Sequence, residues 1–195
     1  LSAEVKNKAL HNISDDLFAK KGEILAANQI DYREGGASGM SAAMLDRLML
    51  SESRLEAIAQ DVLAVAALPD PVGDIFDMRT LPNGLQVGKK RVPLGVIGAV
   101  YESRPNVTID IAAICLKSGN AVILRGGKEA IHSNSALAKL VQEAVIGAGV
   151  PDGAVQFIDN TDRALIDRLL EMNDIINLII PRGGAGLIRF VSERA

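Results

Sequence analysis

Apolar strands and helical stretches alternate regularly after Pro93, and this alternation constrains the fold more than any other feature. Apolar runs of strand length are separated by about a dozen residues with helical spacing. Strands that are apolar throughout are buried on both faces, as in a parallel sheet of right-handed βαβ units. The pattern predicts an α/β fold with a doubly wound parallel sheet. The predicted strands cover 94–101, 121–125, 155–158 and 175–180, the predicted helices cover 106–118, 134–146 and 162–172, and another helix starts near Gly184.

The segment 1–70 has a different pattern, with apolar residues at helical spacing. It predicts a helical N-terminal region. The stretch 33–40 carries three glycines and is expected to be a loop between helices. Ser51 or Ser53 is the expected N-cap of the last helix in this region.

A β-hairpin is predicted over 73–92, between the helical region and the α/β core of 93–195. Short extended runs flank Asn83 and Gly84, and such a pair supplies the positive φ that a tight hairpin turn requires. The hairpin is expected to be either a solvated flap or an arm that reaches another subunit. The residues alone leave both alternatives open.

Composition excludes several classes of partner and of site. The formal net charge is −3, so the chain has no broad basic field for nucleic acid or for an anionic membrane. The single cysteine, Cys115, excludes an internal disulfide framework and a cysteine-based zinc site. No apolar run reaches the length of a membrane span and no signal peptide opens the chain, so we expect a cytoplasmic protein. The chain starts at Leu1 and stops at Ala195 within an expected helix, so it is expected to be part of a longer protein.

Ligands of open parallel sheets bind outside the carboxyl ends of the strands, so the residues just after each strand are candidate site residues. After the second strand, Arg125 and Lys128 flank two glycines, which suits a phosphate group. An ordinary glycine turn with solvated charges is an equal alternative there. The last segment combines an arginine with glycines at a helix start, which favours an anion, and an ordinary strand-to-helix turn is its equal alternative. The segments are 102–106, 126–129 with Gly126 and Gly127, 159–161, and 181–186 with Arg182, Gly183 and Gly184.

Two familiar phosphate-binding motifs are absent from the sequence. Neither the G-x-G-x-x-G dinucleotide fingerprint nor the G-x-x-x-x-G-K-[ST] loop occurs. Gly95 and Gly98 are expected within the first strand of the sheet. The residues alone therefore do not support the usual Rossmann mode of cofactor binding or a P-loop hydrolase.

Asn106 follows Pro105 at the mouth of the predicted sheet. Its amide could donate a hydrogen bond to a developing oxyanion, or it could cap the helix that follows. Cys115 lies in the middle of that helix among apolar residues, where a thiol is expected to act as a small hydrophobic group.

Four motifs make the sequence resemble the γ-glutamyl phosphate reductase family, also called glutamate-5-semialdehyde dehydrogenases, a branch of the aldehyde dehydrogenase superfamily. The similarity extends along essentially the whole chain and implies an aldehyde-dehydrogenase-like cofactor domain. The motifs are VPLGVIGAVYESRPNVT at 92–108, LKSGNAVILRGGKEA at 116–130, GVPDG at 149–153 and IIPRGGAGLI at 179–188.

The resemblance implies an enzyme of proline biosynthesis that uses NADPH to reduce L-glutamyl 5-phosphate to L-glutamate 5-semialdehyde, with release of phosphate. In that chemistry a cysteine thiolate forms a thioester that hydride then reduces. By position, Asn106 matches the asparagine of the oxyanion hole. The nucleophilic cysteine of the family belongs to a later catalytic domain that the chain does not reach, so the chain alone is expected to be inactive and Cys115 is not that residue.

The resemblance also assigns the cofactor-binding residues, all for NADPH/NADP. Backbone of Glu102, Ser103 and Arg104 is expected to line the cofactor cleft. Arg125 is expected at the adenosine ribose, and Lys128, where NAD-using relatives carry a glutamate, is expected to attract the 2′-phosphate. The pyrophosphate is expected near Arg182, Gly183 and Gly184, and the turn at Gly126 and Gly127 belongs to the same cleft.

For partners, the resemblance implies the small-molecule substrate, a homo-oligomer assembled through the hairpin arm, and a possible functional coupling to glutamate 5-kinase. Two alternatives stay open. The chain could be an isolated, non-catalytic nucleotide- or phosphate-binding module, or an oligomerisation scaffold.

Overall fold

Four helices form the N-terminal region in the computed structural model, which describes residues 1–194. Serine side chains start three of them: Ser2, Ser41 and Ser51 accept hydrogen bonds from the backbone N–H three residues later. Of the two expected caps of the last helix, the structure thus has Ser51. The helices are α1 (Ala3–Ala19), α2 (Lys21–Ala37), α3 (Ala42–Leu48) and α4 (Glu52–Ala67).

The predicted loop over 33–40 is wrong for 33–37, because α2 continues to Ala37; the loop between α2 and α3 covers only 38–41. Glycine disfavours a helix interior by about 1 kcal/mol relative to alanine, but here Gly35 has a packing role. It is buried, and a Cβ at this position would lie 2.7 Å from Met40 Sδ and 3.2 Å from Leu45. The glycine lets α3 approach α2 closely, which a local sequence pattern does not reveal.

The hairpin consists of β1 (Ile75–Thr80) and β2 (Gln86–Lys90), paired antiparallel. Its turn contains Gly84 at φ +83°, so the prediction from the Asn-Gly pair is confirmed. The register shifts between Phe76 and Arg79, where Asp77 has φ +54°. The hairpin forms a two-stranded sheet of its own.

The second sheet is parallel and confirms the α/β fold class. Its strands are β3 (Val96–Tyr101), β4 (Ala121–Arg125), β5 (Val155–Phe157) and β6 (Leu178–Arg182), in the order β5-β4-β3-β6. The connecting helices are α5 (Asn106–Lys117), α6 (Ile131–Gly147) and α7 (Ala164–Glu171), and α8 (Ala185–Ser192) follows β6; a 3₁₀ turn at Lys128–Ala130 precedes α6.

Helices cover both faces of this sheet. Successive side chains of a strand point to opposite faces, so each strand contributes to both helix layers. Ile97 and Ala99 of β3 lie in the larger core, together with residues of α1, α4, α5 and α6. Val100 lies in a second core with Leu169 of α7 and Val191 of α8. The sheet is therefore doubly wound.

The last strand and its neighbour differ from the prediction. The strand is 178–182 and not 175–180, because Ile175 and Ile176 turn back to the Met172 carbonyl. Gly95 lies before β3 at φ +125°, where a Cβ would collide with the side chain of Asn177. The prediction of a helix at Ala195 concerns a residue outside the described range.

Membrane insertion, metal binding and thiol chemistry find no support in residues 1–194. No helix there is long and apolar enough to cross a membrane. These residues also contain no group of three or more His, Cys, Asp or Glu side chains that could hold a metal ion. Burial raises the pKa of Cys115 to about 11, so its thiol stays protonated at neutral pH, as expected for a structural cysteine.

Candidate functional site

A cavity of about 310 Å³ opens at the carboxyl ends of β3 and β6. From β3 the chain proceeds to β4 and β5 on one side, and then crosses to β6 on the other side. Neighbouring strands whose connections run in opposite directions form a crevice, the usual ligand site of such sheets. Six of the eleven predicted site residues line the cavity together: Glu102, Ser103, Arg104, Arg182, Gly183 and Gly184.

Arg47 of α3, which no sequence motif indicates, also lines this cavity. It lies more than fifty positions before the other lining residues, in a helix with no motif around it. Arg47, Arg104 and Arg182 bring three guanidinium groups to the cavity, and all three residues are exposed. Guanidinium groups are well suited to phosphate recognition.

Glu102 connects the loop after β3 to the start of α8. Its backbone N–H donates to the Arg182 carbonyl at 3.0 Å, and its Oε2 accepts from the Gly184 N–H at 3.0 Å. A Cβ at Gly183 would collide with this carboxylate. The carboxylate therefore occupies a position where the helix dipole favours an anion.

Ser103 connects the same loop to the turn after β4. The Oε1 of Glu129 accepts hydrogen bonds from the Ser103 N–H at 2.6 Å and from its hydroxyl at 3.0 Å. Ser103 has φ +52°, in the left-handed region. Glu129 lies in the predicted segment after β4, next to Lys128, but the sequence assigned it no role.

Arg125 and Lys128 lie at the end of the neighbouring strand, outside the lining of the cavity. Arg125 is buried and its Nη2 donates to the Thr161 carbonyl at 2.9 Å. Burial lowers the pKa of Arg125, and the carboxylate of Glu129 opposes this shift. Lys128 is exposed in the 3₁₀ turn. The two cations share one edge of the sheet, but Arg125 also ties β4 to the loop before α7.

Two buried donors flank the glycine turn after β4. Arg125 Nε and Asn134 Nδ2 have no hydrogen-bond partner within residues 1–194. The amide of Asn134 faces Gly126, because a Cβ added there would collide with Nδ2. Buried donors normally have an acceptor, so these two are exceptions among the polar groups of the described residues.

Asn106 is the first residue of α5, and Pro105 holds the N-cap position. The helix-cap alternative for Asn106 is therefore wrong. Its Nδ2 donates to Asp110 Oδ2 at 2.8 Å. Burial raises the pKa of Asp110, and the bond from Asn106 opposes the shift. The amide has a fixed orientation, as an oxyanion donor needs, and its catalytic role stays a prediction.

Comparison with known proteins places these features in one family. The model of the aldehyde dehydrogenase family matches residues 38–194. A γ-glutamyl phosphate reductase of Dehalococcoides mccartyi is 62% identical over 194 residues, which are 100% of this chain and 46% of that protein. The chain thus spans about half the length of the curated relatives it matches.

Solved structures give the same result. The crystal structure of a γ-glutamyl phosphate reductase from Thermotoga maritima matches with a TM-score of 0.96 and 40% identity, over 100% of this chain and 47% of that one. The enzyme of the same name from Saccharomyces cerevisiae matches with a TM-score of 0.93 and 35% identity, over 100% and 50%.

Proposed function

Since the chain belongs to the aldehyde dehydrogenase family, we propose that it is the cofactor-binding part of a γ-glutamyl phosphate reductase. The complete enzyme would reduce L-glutamyl 5-phosphate to L-glutamate 5-semialdehyde with NADPH and release phosphate, a step of proline biosynthesis. The observation that carries the proposal is the arginine-lined cavity at the crevice between β3 and β6. The similarity to γ-glutamyl phosphate reductases supports it.

The family uses a nicotinamide cofactor, and the donors around the crevice suit a dinucleotide. The exposed Arg182 guanidinium is proposed to hold the pyrophosphate beside Gly183 and Gly184, where the Gly184 N–H already donates to Glu102. Arg125, at the end of β4, lies at the edge proposed for the adenosine ribose. When bound, the nicotinamide ring supplies hydride.

NADPH over NADH is the finer part of the proposal, and it depends on Lys128. The proposal gives this exposed ammonium group the place where NAD-using relatives carry a glutamate, which would bind ribose hydroxyls and repel a 2′-phosphate. A cation there attracts the phosphate instead.

Asn106 is proposed to donate its second amide proton to the oxyanion that forms on the substrate carbonyl. Asp110 accepts the other proton and keeps the amide oriented. The proposal assigns no nucleophile to this chain, because the only cysteine is buried and protonated.

The remaining finer expectations belong to the same proposal. They are a cytoplasmic location, a homo-oligomer in which the β1–β2 hairpin is the contact arm, and functional coupling to glutamate 5-kinase.

A titration of the 195-residue chain with NADPH and NADH, followed by cofactor fluorescence, tests the proposal. We expect saturable binding that favours NADPH and weakens with salt, because phosphate contacts dominate. Circular dichroism must first show that the chain is folded. The titration is repeated on a fusion of this chain with the C-terminal half of a relative. If neither the folded chain nor the folded fusion binds NADPH or NADH, the cofactor-binding role is refuted.

A further inference from the structure

One carboxylate joins two loops at the edge of the sheet. Glu129, in the 3₁₀ turn after β4, lies 26 positions from Ser103, and its Oε1 accepts both the N–H (2.6 Å) and the hydroxyl (3.0 Å) of Ser103. Hydrogen bonds to an ionised acceptor are about twice as strong as neutral ones.

The conformation of Ser103 explains why such a strong contact is present. Its φ of +52° lies in the left-handed region of the backbone, which residues other than glycine, asparagine and aspartate rarely adopt. Within residues 1–194 the only other residue of this kind is Asp77, in the exposed hairpin. Strained conformations persist where the surroundings hold them in place, and they concentrate at functional sites.

Gly127 shows that the turn leaves room for the Glu129 carboxylate. A Cβ at position 127 would collide with both carboxylate oxygens of Glu129. This glycine therefore has a role that does not require direct contact with a ligand. It allows the turn to fold back so that Glu129 reaches the loop after β3.

Ser103 is the central residue of the loop Glu102–Arg104, which lines the cavity. Glu102 fastens one side of this loop to the start of α8 through the Gly184 N–H. Glu129 fastens the other side to the end of β4. Two carboxylates thus hold the carboxyl ends of three parallel strands in one arrangement.

We propose that Glu129 is a positioning residue of the dinucleotide cavity: it holds Ser103 in the left-handed conformation and so places Glu102 and Arg104 for cofactor binding. The inference rests on the proposed function for its ligand class, a nicotinamide dinucleotide. Glu129 acts through Ser103 and is not assigned any contact with the cofactor.

A double-mutant cycle tests the proposal, because glycine adopts positive φ without strain. The variants are Glu129→Ala, Ser103→Gly, and the two combined, with Glu129→Gln as the conservative change that keeps an acceptor oxygen. Glu171→Ala is the control, since this exposed carboxylate bonds to Arg168 on α7. Each variant is titrated with NADPH, and the Ser103 amide is followed by NMR without cofactor.

We expect Glu129→Ala to weaken NADPH binding about tenfold in the wild-type background and less than threefold in the Ser103→Gly background. Glu129→Gln should fall between wild type and Glu129→Ala. Without cofactor, Glu129→Ala should shift the Ser103 amide proton upfield and speed its exchange, while Glu171→Ala changes neither.

Two results would overturn the positioning role. One is an unchanged Ser103 amide in Glu129→Ala, which needs no cofactor to be observed. The other is an equal loss of affinity in both backgrounds, which would mean that Glu129 acts other than through Ser103. If the folded wild-type chain does not bind NADPH, that result counts against the proposed function. The amide measurement needs no cofactor, so it still decides whether Glu129 holds Ser103.

Discussion

The carboxylate of Asp31 on α2 caps the N-terminus of α6, more than a hundred residues along the chain, by accepting hydrogen bonds from Ser133. It binds the Ser133 N–H at 2.7 Å and its hydroxyl at 2.5 Å, and the His132 N–H at 3.1 Å. Asp31 is only 2% exposed. The helical region thus fixes the helix that directly follows the glycine turn of the candidate site.

Replacing Asp31 with alanine should destabilise the protein. The change leaves the buried N–H groups at the start of α6 without an acceptor, and loss of such a cap costs about 2 kcal/mol. Asp31→Asn keeps one acceptor oxygen and should cost less. Urea unfolding measures the effect, with Asp15→Ala on the exposed face of α1 as the control; equal losses in both alanine variants would contradict the role as a cap.

Lys6 and Asp70 form an ion pair that should matter more than the pairs on the surface. Lys6 is 1% exposed, and its Nζ lies 2.5 Å from Asp70 Oδ2. Burial raises the pKa of Asp70, but the bond from Lys6 and the Val72 N–H outweigh it and hold the pKa below its ordinary value. The stabilisation by the Asp70 carboxylate is thus present above the unfolded-state pKa and is lost as pH falls through the lowered value.

Lys6→Met should therefore lower the free energy of unfolding at pH 7 by about 3 kcal/mol, since it leaves a partly buried carboxylate without its partner. The matched variant is Lys21→Met, because the Lys21–Glu52 pair is exposed and should contribute little. Denaturant unfolding of both variants at pH 7 and near pH 3 makes the comparison. A Lys6→Met variant as stable as Lys21→Met would disprove the argument.

The parallel sheet was predictable from the sequence because its information is local. Each apolar strand has the length and the helical neighbours of a βαβ unit, and the residues after β3 and β6 could be placed at one edge. The prediction of a loop over 33–40 was wrong for 33–37, because Gly35 lies inside α2 and serves a close contact between α2 and α3. The last strand was misplaced because the apolar residues Ile175 and Ile176 bond back to the Met172 carbonyl and do not join the sheet.

The missed site residues share one physical cause. Arg47 reaches the cavity only because the helical region packs beside the sheet, and Glu129 gains its importance from the conformation of Ser103. Neither relationship leaves a periodic pattern or a spacing in the sequence. Local motifs therefore identified what lies at a strand end, while the contacts between strand ends required the folded chain.

Asp110 predicts a pH dependence of opposite sign to that of Asp70. Burial raises the pKa of Asp110 above its ordinary value of 3.8, although the Asn106 amide opposes the shift. The folded protein then holds this proton more tightly than the unfolded chain, so the Asp110 contribution to stability falls as pH rises from 3.8 through the raised pKa.

Asp110→Asn removes this titration and keeps an acceptor for the Asn106 amide. We expect the variant to lose part of the decline in stability over that pH range and to be at least as stable as wild type at pH 7. Unfolding by urea at a series of pH values tests this, with Asp152→Asn in an exposed loop as the control. A variant with the wild-type pH profile would show that Asp110 does not titrate as described.

The hairpin should depend on a partner for its order. An isolated two-stranded sheet is marginally stable in water, and this one exposes Ile75, Met78 and Leu85, each more than half accessible. Deleting residues 75–92 and joining the ends with a short glycine-serine linker should convert the proposed homo-oligomer to monomer and leave NADPH affinity within twofold. Sedimentation velocity and cofactor titration measure the two effects; an unchanged oligomer would exclude the hairpin as the contact arm.

Lys128 should decide the choice between NADPH and NADH. Lys128→Glu replaces an exposed cation beside the proposed 2′-phosphate with an anion, so NADPH affinity should fall 10- to 100-fold, which corresponds to about 1.4 to 2.7 kcal/mol. NADH lacks that phosphate and should bind about as well as to the wild type. Lys8→Glu makes the same charge change on the exposed face of α1 and controls for the net charge of the protein. If the ratio of the two affinities is the same in Lys128→Glu and Lys8→Glu, then Lys128 does not recognise the phosphate and the preference has to arise elsewhere in the crevice.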